Sequence, residues 1–372
     1  MFLRRKKVSV EIVKDYELPS KCLLNDYTIE KVDEEVINKQ WNIISTVLNS
    51  LNLKHTLNEV KQSATLIVYD VEMYSIDYIS KASRIEKGLA GLLHSEGVKI
   101  DTTSGFVVEV PRADRQIVGL RECITDTQHK LPMFLGIAAD GEPLVYDLAK
   151  APHMLVGGTT GSGKSVCINT ILASLLLTQK PLDCKMILID PKLVELGNYN
   201  GIPHLSTDVI TEVDEAVNVL NWLVDLMERR YKHFNDIGVS SLDECECFPR
   251  VVCVIDELAD LMLEGGKEIQ NPLQRLLQKS RAAGIHIILA TQNPTVKVVP
   301  GIIKANAPTR IAFKTSSITD SRVVLDYGGA DKLLGKGDGL FKGVDGVNFK
   351  RFQCAYVCDN EINSIIDYWK TQ

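Results

Sequence analysis

The chain has 372 residues, 45% of them hydrophobic and 24% charged, which is material for two or three packed domains. These fractions exclude wholesale disorder, collagen-like and coiled-coil architectures. A net charge of −6 excludes a uniformly basic coat, so any contact with nucleic acid has to be local.

In chain order, the start MFLRRKKVSVEIVKDYELP carries a basic cluster with no apolar stretch behind it, so it is not a secretory signal. Residues 1–37 read as a tail or an arm packed on another surface. Trp41, Ile44, Val47, Leu48 and Leu51 recur at spacings of three and four and predict an amphipathic helix. TLIVYDV (Thr65–Val71) predicts a strand, and a second helical stripe follows at Ile76, Ile79, Ala82, Leu89, Leu92 and Leu93. GFVVEVP (Gly105–Pro111) predicts a strand closed by proline. This α-β-α-β run reads as a small α/β domain.

A polar connector leads to Asp140–Gly141, a D-G pair between apolar runs that signals a β-hairpin. Five short, nearly continuous apolar runs then alternate with helical stripes: HMLVG (His153–Gly157), KMILID (Lys185–Asp190), VVCVID (Val251–Asp256), IHIILA (Ile285–Ala290) and TRIAFK (Thr309–Lys314). Such runs suit parallel strands buried on both faces, and the alternation predicts an open α/β sheet. The clearest helical stripe is Ala216, Leu220, Leu223, Met227, Tyr231 and Phe234, stopped by Gly238. No window reaches the 18 or so unbroken apolar residues of a membrane-spanning helix. Most of the nine cysteines, including Cys167, Cys184, Cys253 and Cys354, lie in apolar runs and read as reduced thiols of a cytoplasmic chain. Cys245 and Cys247 form C-x-C, not the C-x-x-C of a zinc or redox site.

The strongest chemical signal is GTTGSGKS, which fits G-x-x-x-x-G-K-[S/T] between a strand and a helix. Gly158, Thr159, Thr160, Gly161, Ser162, Gly163, Lys164 and Ser165, with Val166 just after them, are the expected nucleotide cradle. Glycines let backbone N–H groups turn toward a polyphosphate, and Lys164 brings a charge to the β/γ-phosphates of ATP. The Ser165 hydroxyl is the expected Mg²⁺ ligand, and the positive end of the following helix adds to the anion site. A second element, VIDELAD, ends a strand in Asp256 and Glu257. Asp256 is expected to contact Mg²⁺ directly or through water, and Glu257 to polarise the attacking water; a helix N-terminal acidic pair is the alternative. Gln292, at the end of ILATQ, could orient that water or sense the γ-phosphate.

Taken together, the motifs PHMLVGGTTGSGKSVCIN, ILIDPKLVELGNYNGIPHL, MERRYKHF, VIDELADLM, QKSRAAGIHIILATQNP, IKANAPTRIAF and GADKLLGKGDGLF resemble the FtsK/SpoIIIE family of hexameric double-stranded DNA translocases. The resemblance covers most of the chain. It implies a small α/β subdomain over 38–112 and a RecA-like P-loop NTPase (ASCE) motor domain over 113–372. In such a ring a neighbour's arginine completes each ATP site, which here implies Arg281 of RAAGIH, with Arg310 a lesser candidate. The resemblance also implies pore residues Lys304 and Arg322 against DNA phosphates, with Lys297 added by position. Two departures stand out: Ile318 where a DNA-facing lysine is common, and Asn293 where the family has arginine.

The expectation is therefore an ATPase that pumps double-stranded DNA through a homo-oligomeric ring, a hexamer by analogy. The chain shows neither the family's multi-pass anchor nor room for its C-terminal winged-helix domain, which points to service on a mobile element in conjugation, plasmid or phage DNA handling. A relaxase or a membrane machine is the partner such service implies. The rival readings are an ATPase module of type VII protein secretion and a non-motor P-loop protein.

Overall fold

The computed structural model describes residues 16–102, 105–344 and 349–372. The basic cluster of the N-terminus lies outside the described residues. Residues 16–33 run as a strap, and several of its backbone N–H groups are taken up by side chains far away in sequence. Asn25 N donates to Glu361 Oε1 at 2.7 Å, Tyr27 N to Glu122 Oε1 at 2.9 Å, Glu30 N to Gln116 Oε1 at 2.7 Å and Val32 N to Gln62 Oε1 at 2.8 Å.

The strap leads into α1 (Glu34–Ser50), where the Asp33 carboxylate accepts from Glu35 N and caps the free helix end. Next come β1 (His55–Gln62), β2 (Leu66–Met73), α2 (Tyr78–Leu92), β3 (Lys99–Asp101) and β4 (Phe106–Pro111). The four strands form an antiparallel sheet in the order β1-β2-β4-β3. One face packs Ile67, Tyr69 and Val108 against Ile44 and Leu48 of α1 and Ile85 and Leu89 of α2. The stripe expected on the second helix is only partly buried: Ile76 precedes the helix and is 80% exposed, and Ile79 and Leu92 also face outward.

The larger part of the chain contributes α3 (Leu120–Cys123), β5 (Pro132–Ala138), β6 (Pro143–Asp147), β7 (His153–Gly157), α4 (Lys164–Thr178) and β8 (Cys184–Ile189). It continues through α5 (Val213–Ile237), α6 (Leu242–Cys245), β9 (Arg250–Ile255), α7 (Leu258–Glu264), α8 (Gly266–Lys279) and β10 (Ile285–Thr291). It ends with α9 (Gly301–Asn306), β11 (Thr309–Phe313), α10 (Ile318–Leu325), β12 (Asp338–Lys342), β13 (Lys350–Cys354) and α11 (Asp359–Thr371). The nine strands lie in the order β6-β5-β13-β12-β11-β7-β10-β9-β8. From β11 to β8 all neighbours are parallel, and these are the five apolar runs of the sequence. The other four strands extend that core antiparallel, so the sheet is mixed. The hairpin joining β5 and β6 turns at Asp140–Gly141, with Gly141 at φ 90°. Helix α5 buries the expected stripe except for the half-buried Tyr231, and stops at Gly238, whose φ of 75° suits glycine.

A buried ion network ties the two sheets together. Arg351 on β13 pairs with Asp338 on β12 at 2.8 Å and with Glu109 on β4 at 3.0 Å, with all three side chains nearly inaccessible. Burial opposes the arginine's charge, but the two carboxylates outweigh it and hold the guanidinium above its ordinary range. The cysteine reading needs one correction: Cys245 and Cys247 are joined as a disulfide across Glu246. Their Cα atoms are 5.1 Å apart, because Glu246 takes a left-handed turn (φ 48°) that brings the two side chains round to each other. Cys167, Cys184, Cys253 and Cys354 are free and buried.

Candidate nucleotide site

The P-loop spans the gap between the end of β7 and the start of α4, at the C-terminal edge of the parallel strands. This is where an open α/β sheet presents ligands to its helix N-termini. Gly163 has φ 115°, and a Cβ there would fall 2.6 Å from Gly337 N, so only glycine lets the loop lie against the 335–338 segment. Gly337 N donates to Ser162 O at 2.8 Å, Thr159 N to Lys314 O at 2.9 Å and Gly158 N to Thr291 O at 3.3 Å. The loop is thus held from three sides. Helix α4 begins at Lys164, inside the P-loop motif, and is apolar and buried almost all round, so it runs through the core with its N-terminus at the cavity.

Lys164 Nζ donates to the backbone O of Asp256 at 2.9 Å and to its Oδ1 at 2.8 Å. An ammonium has three donors, so one is left for a phosphate oxygen. Glu257 is just as buried. Its Oε1 accepts from the Thr291 hydroxyl at 2.7 Å and its Oε2 from Gln292 N at 3.0 Å, while Ala259 N donates to it at the start of α7. The carboxylate is therefore both a helix cap and a link to the end of β10. Gln292 in turn accepts from the Thr160 hydroxyl at 2.7 Å, which joins that strand end to the P-loop. Lys164, Asp256, Glu257 and Gln292 thus form one connected group.

A cavity of about 490 Å³ opens beside them. The P-loop lines it with Thr159 to Gly161 and Gly163 to Val166. Lys336, Gln353, Cys354, Tyr356 and Glu195 also line it. Sequence reasoning missed all five. The signal was the second glycine-rich run, GKGDG, whose Gly335 and Gly337 both have positive φ. Ser165 lines the cavity beside Lys164, and the Asp256 carboxylate is bound to that lysine; a hydroxyl and a carboxylate are oxygen donors of the kind that suit a hard divalent cation such as Mg²⁺.

The remaining residues lie elsewhere. Arg281 is exposed, with no hydrogen-bond or ion-pair partner for its guanidinium among the described residues. It precedes β10, while Gln292 follows it; at about 3.3 Å per residue the strand alone separates Arg281 from its own P-loop by roughly 20 Å. Arg310 is not available for catalysis: it is buried, donates to Lys304 O at 2.9 Å and pairs with Asp326, so it clamps α9 to the end of α10. Lys304 pairs with the same Asp326. Burial would raise the Asp326 pKa, but these two cations outweigh it and hold it below the usual carboxylate range. Arg322 on α10 and Lys297 after β10 are exposed, and so is Ile318. Asn293 N donates to the Thr291 hydroxyl in an ordinary turn.

The sequence model of the FtsK/SpoIIIE family matches residues 120–246 and 243–296. The chain is 40% identical to DNA translocase FtsK of Corynebacterium glutamicum, over 97% of its own length and 43% of that protein. It is 39% identical to DNA translocase SpoIIIE of Bacillus subtilis, over 96% of its own length and 49% of that protein. It therefore spans less than half of these relatives. DNA translocase FtsK of Haemophilus influenzae is 38% identical, with 75% of its length covered. Among solved structures, the pCW3 conjugation coupling protein TcpA, in its monomer form with ATPγS, superposes with a TM-score of 0.60 at 26% identity, over 88% of this chain and 99% of that one. The cytoplasmic domain of the Thermomonospora curvata type VII secretion ATPase EccC gives a TM-score of 0.57 at 26% identity, over 65% of this chain and 31% of that one. Sequence kinship at this level across most of a full relative, together with the arrangement around Lys164, places the chain in the FtsK/SpoIIIE family.

Proposed function

We propose that the chain is an ATP-driven motor that translocates double-stranded DNA, with residues 38–112 as a small subdomain and 113–372 as the motor domain. The observation that carries this reading is the buried Lys164–Asp256 pair beside Glu257 and Gln292, in a chain about 40% identical to proteins named DNA translocases.

Lys164 compensates charge on the β/γ-phosphates with its remaining donor, while Asp256 keeps the ammonium in place. Ser165 and Asp256 would hold Mg²⁺, which supplies charge neutralisation on the phosphate oxygens. Glu257 takes the proton of the attacking water, and Gln292 reports the γ-phosphate to Thr160 and the strand end. Arg281 acts on the site of a neighbouring subunit, the role that its distance from its own P-loop leaves open. A homo-oligomeric ring, a hexamer by family analogy, follows from that.

DNA is gripped through phosphates by Arg322, Lys304 and Lys297, so binding is independent of sequence and sensitive to salt. Service in conjugative transfer is favoured by the likeness to TcpA. A second reading, a module that moves polypeptide, is favoured by the likeness to EccC. The test is the ATPase rate with and without linear duplex DNA, together with particle size in ATP and DNA. The DNA motor predicts stimulation and ring assembly; a DNA-blind ATPase favours the polypeptide reading.

A further inference from the structure

Part of the nucleotide cavity's lining is a shared wall. Lys336, Gln353, Cys354 and Tyr356 also face a second cavity of about 410 Å³, closed on its other side by Thr65 and by Arg115 to Val118 of the connector between the two sheets. Within that wall the Gln353 amide is pinned at both ends. Its Nε2 donates to Lys336 O at 2.9 Å, and its Oε1 accepts from the Arg115 guanidinium at 3.3 Å. Arg115 is itself anchored, donating to Gly335 O at 3.2 Å. A Cβ on Gly337 would lie 2.5 Å from Gln353 Nε2, so the glycine run is shaped around this amide. Turning the amide over would set oxygen against the Lys336 carbonyl and N–H against the guanidinium. Its orientation is therefore fixed, with one lone pair on Oε1 and one hydrogen on Nε2 left over.

We infer that Gln353 reads the base of the bound nucleotide, and that Arg115 is a positioning residue which fixes its amide and so selects adenine over guanine. This rests on the nucleotide reading of the P-loop. A triphosphate seated on Thr160 to Ser165 leaves its base to the rest of the same cavity, which Gln353 and Tyr356 line. One acceptor next to one donor matches adenine, whose amino group donates and whose adjacent ring nitrogen accepts. Guanine presents a carbonyl oxygen where adenine has the amino group, and an amide that cannot turn meets it oxygen to oxygen. The choice of base then depends on Arg115, which belongs to the connector and not to the motor sheet.

The test is displacement of a fluorescent ATP analogue from the full chain by ATP, by GTP and by the purine ribonucleoside triphosphate that lacks the 6-amino group. It is run on the wild type, Arg115→Met, Arg115→Lys and Gln353→Met. The wild type should bind GTP about tenfold or more weakly than ATP, and the 6-deamino nucleotide several-fold more weakly. Arg115→Met should bring GTP and ATP to within about threefold while ATP affinity changes less than about threefold, and Arg115→Lys should restore part of the preference. Equal binding of ATP and GTP by the wild type overturns the inference, and that comparison needs no variant. So does a preference that survives both Arg115→Met and Gln353→Met, or a Gln353→Met that weakens all three nucleotides alike, as a merely structural glutamine would. A wild type that never takes up fluorescent ATP brings down the P-loop reading itself, and this inference with it.

Discussion

Lys164 Nζ lies 2.8 Å from Asp256 Oδ1, with the two side chains 2% and 6% exposed. Both charges are out of water, so each depends on the other, and the geometry of the catalytic edge depends on both. Removing one partner of such a pair typically costs about 3–5 kcal/mol, because the other charge stays buried without compensation.

Lys164→Ala should therefore lower both turnover and stability. Hydrolysis should fall at least about 100-fold, and the denaturation midpoint should drop. The double variant Lys164→Ala/Asp256→Ala should regain much of the stability and none of the turnover, which a denaturant cycle alongside the ATPase assay can read.

Glu257→Gln keeps one acceptor oxygen for the Thr291 hydroxyl and the start of α7 and gives up the one that takes Gln292 N, so the fold should persist with some loss of stability. As the group proposed to take a proton from water, its loss should lower hydrolysis about 10²–10⁴-fold with nucleotide affinity little changed. Single-turnover hydrolysis set against nucleotide binding separates the two.

The proposed DNA residues are not equivalent. Lys304 is already paired with Asp326, whereas Arg322 is exposed and unpaired among the described residues. Arg322→Ala should reduce the slope of log affinity against log salt by about 0.9 for each phosphate left without its cation. Lys304→Ala should reduce it less, since that ammonium has to leave a carboxylate before it can meet DNA. Duplex binding measured across a salt series checks the order.

Burial pushes the pKa of His153 down to about 3 and those of His286 and His204 down to about 4, from an ordinary 6.5. The folded chain thus keeps these rings neutral while the unfolded chain takes up their protons. Stability from this source is intact above about pH 6.5 and is lost as pH falls toward 4. Each histidine should cost about 1 kcal/mol between pH 6 and pH 5. Urea unfolding at the two pH values should show the loss, and His286→Gln should reduce it by its share.

What could be read in the sequence divides along physical lines. A phosphate cradle is local chemistry, so GTTGSGKS is a contiguous pattern, and strands buried on both faces are apolar throughout, as VVCVID and IHIILA are. Strand β1 was not visible, because HTLNEVKQ is an edge strand with alternating exposure and few apolar residues. The buried positions of Arg310 and Arg351 were hidden for the opposite reason: their charges are matched by Asp326, Glu109 and Asp338, partners that only the fold brings near. The part of the nucleotide cavity's wall that holds Gln353 lies about 190 residues beyond the P-loop, on the antiparallel extension of the sheet, and no local pattern joins Gln353 to Thr160.

The most direct measurement is displacement of a triplex-forming strand from duplex DNA, since stripping a third strand requires movement along the duplex and not binding alone. Wild-type protein with ATP should release the strand, and Lys164→Ala, or wild type with ADP, should not. A wild type that binds the duplex and hydrolyses ATP yet leaves the third strand in place would contradict the translocation account.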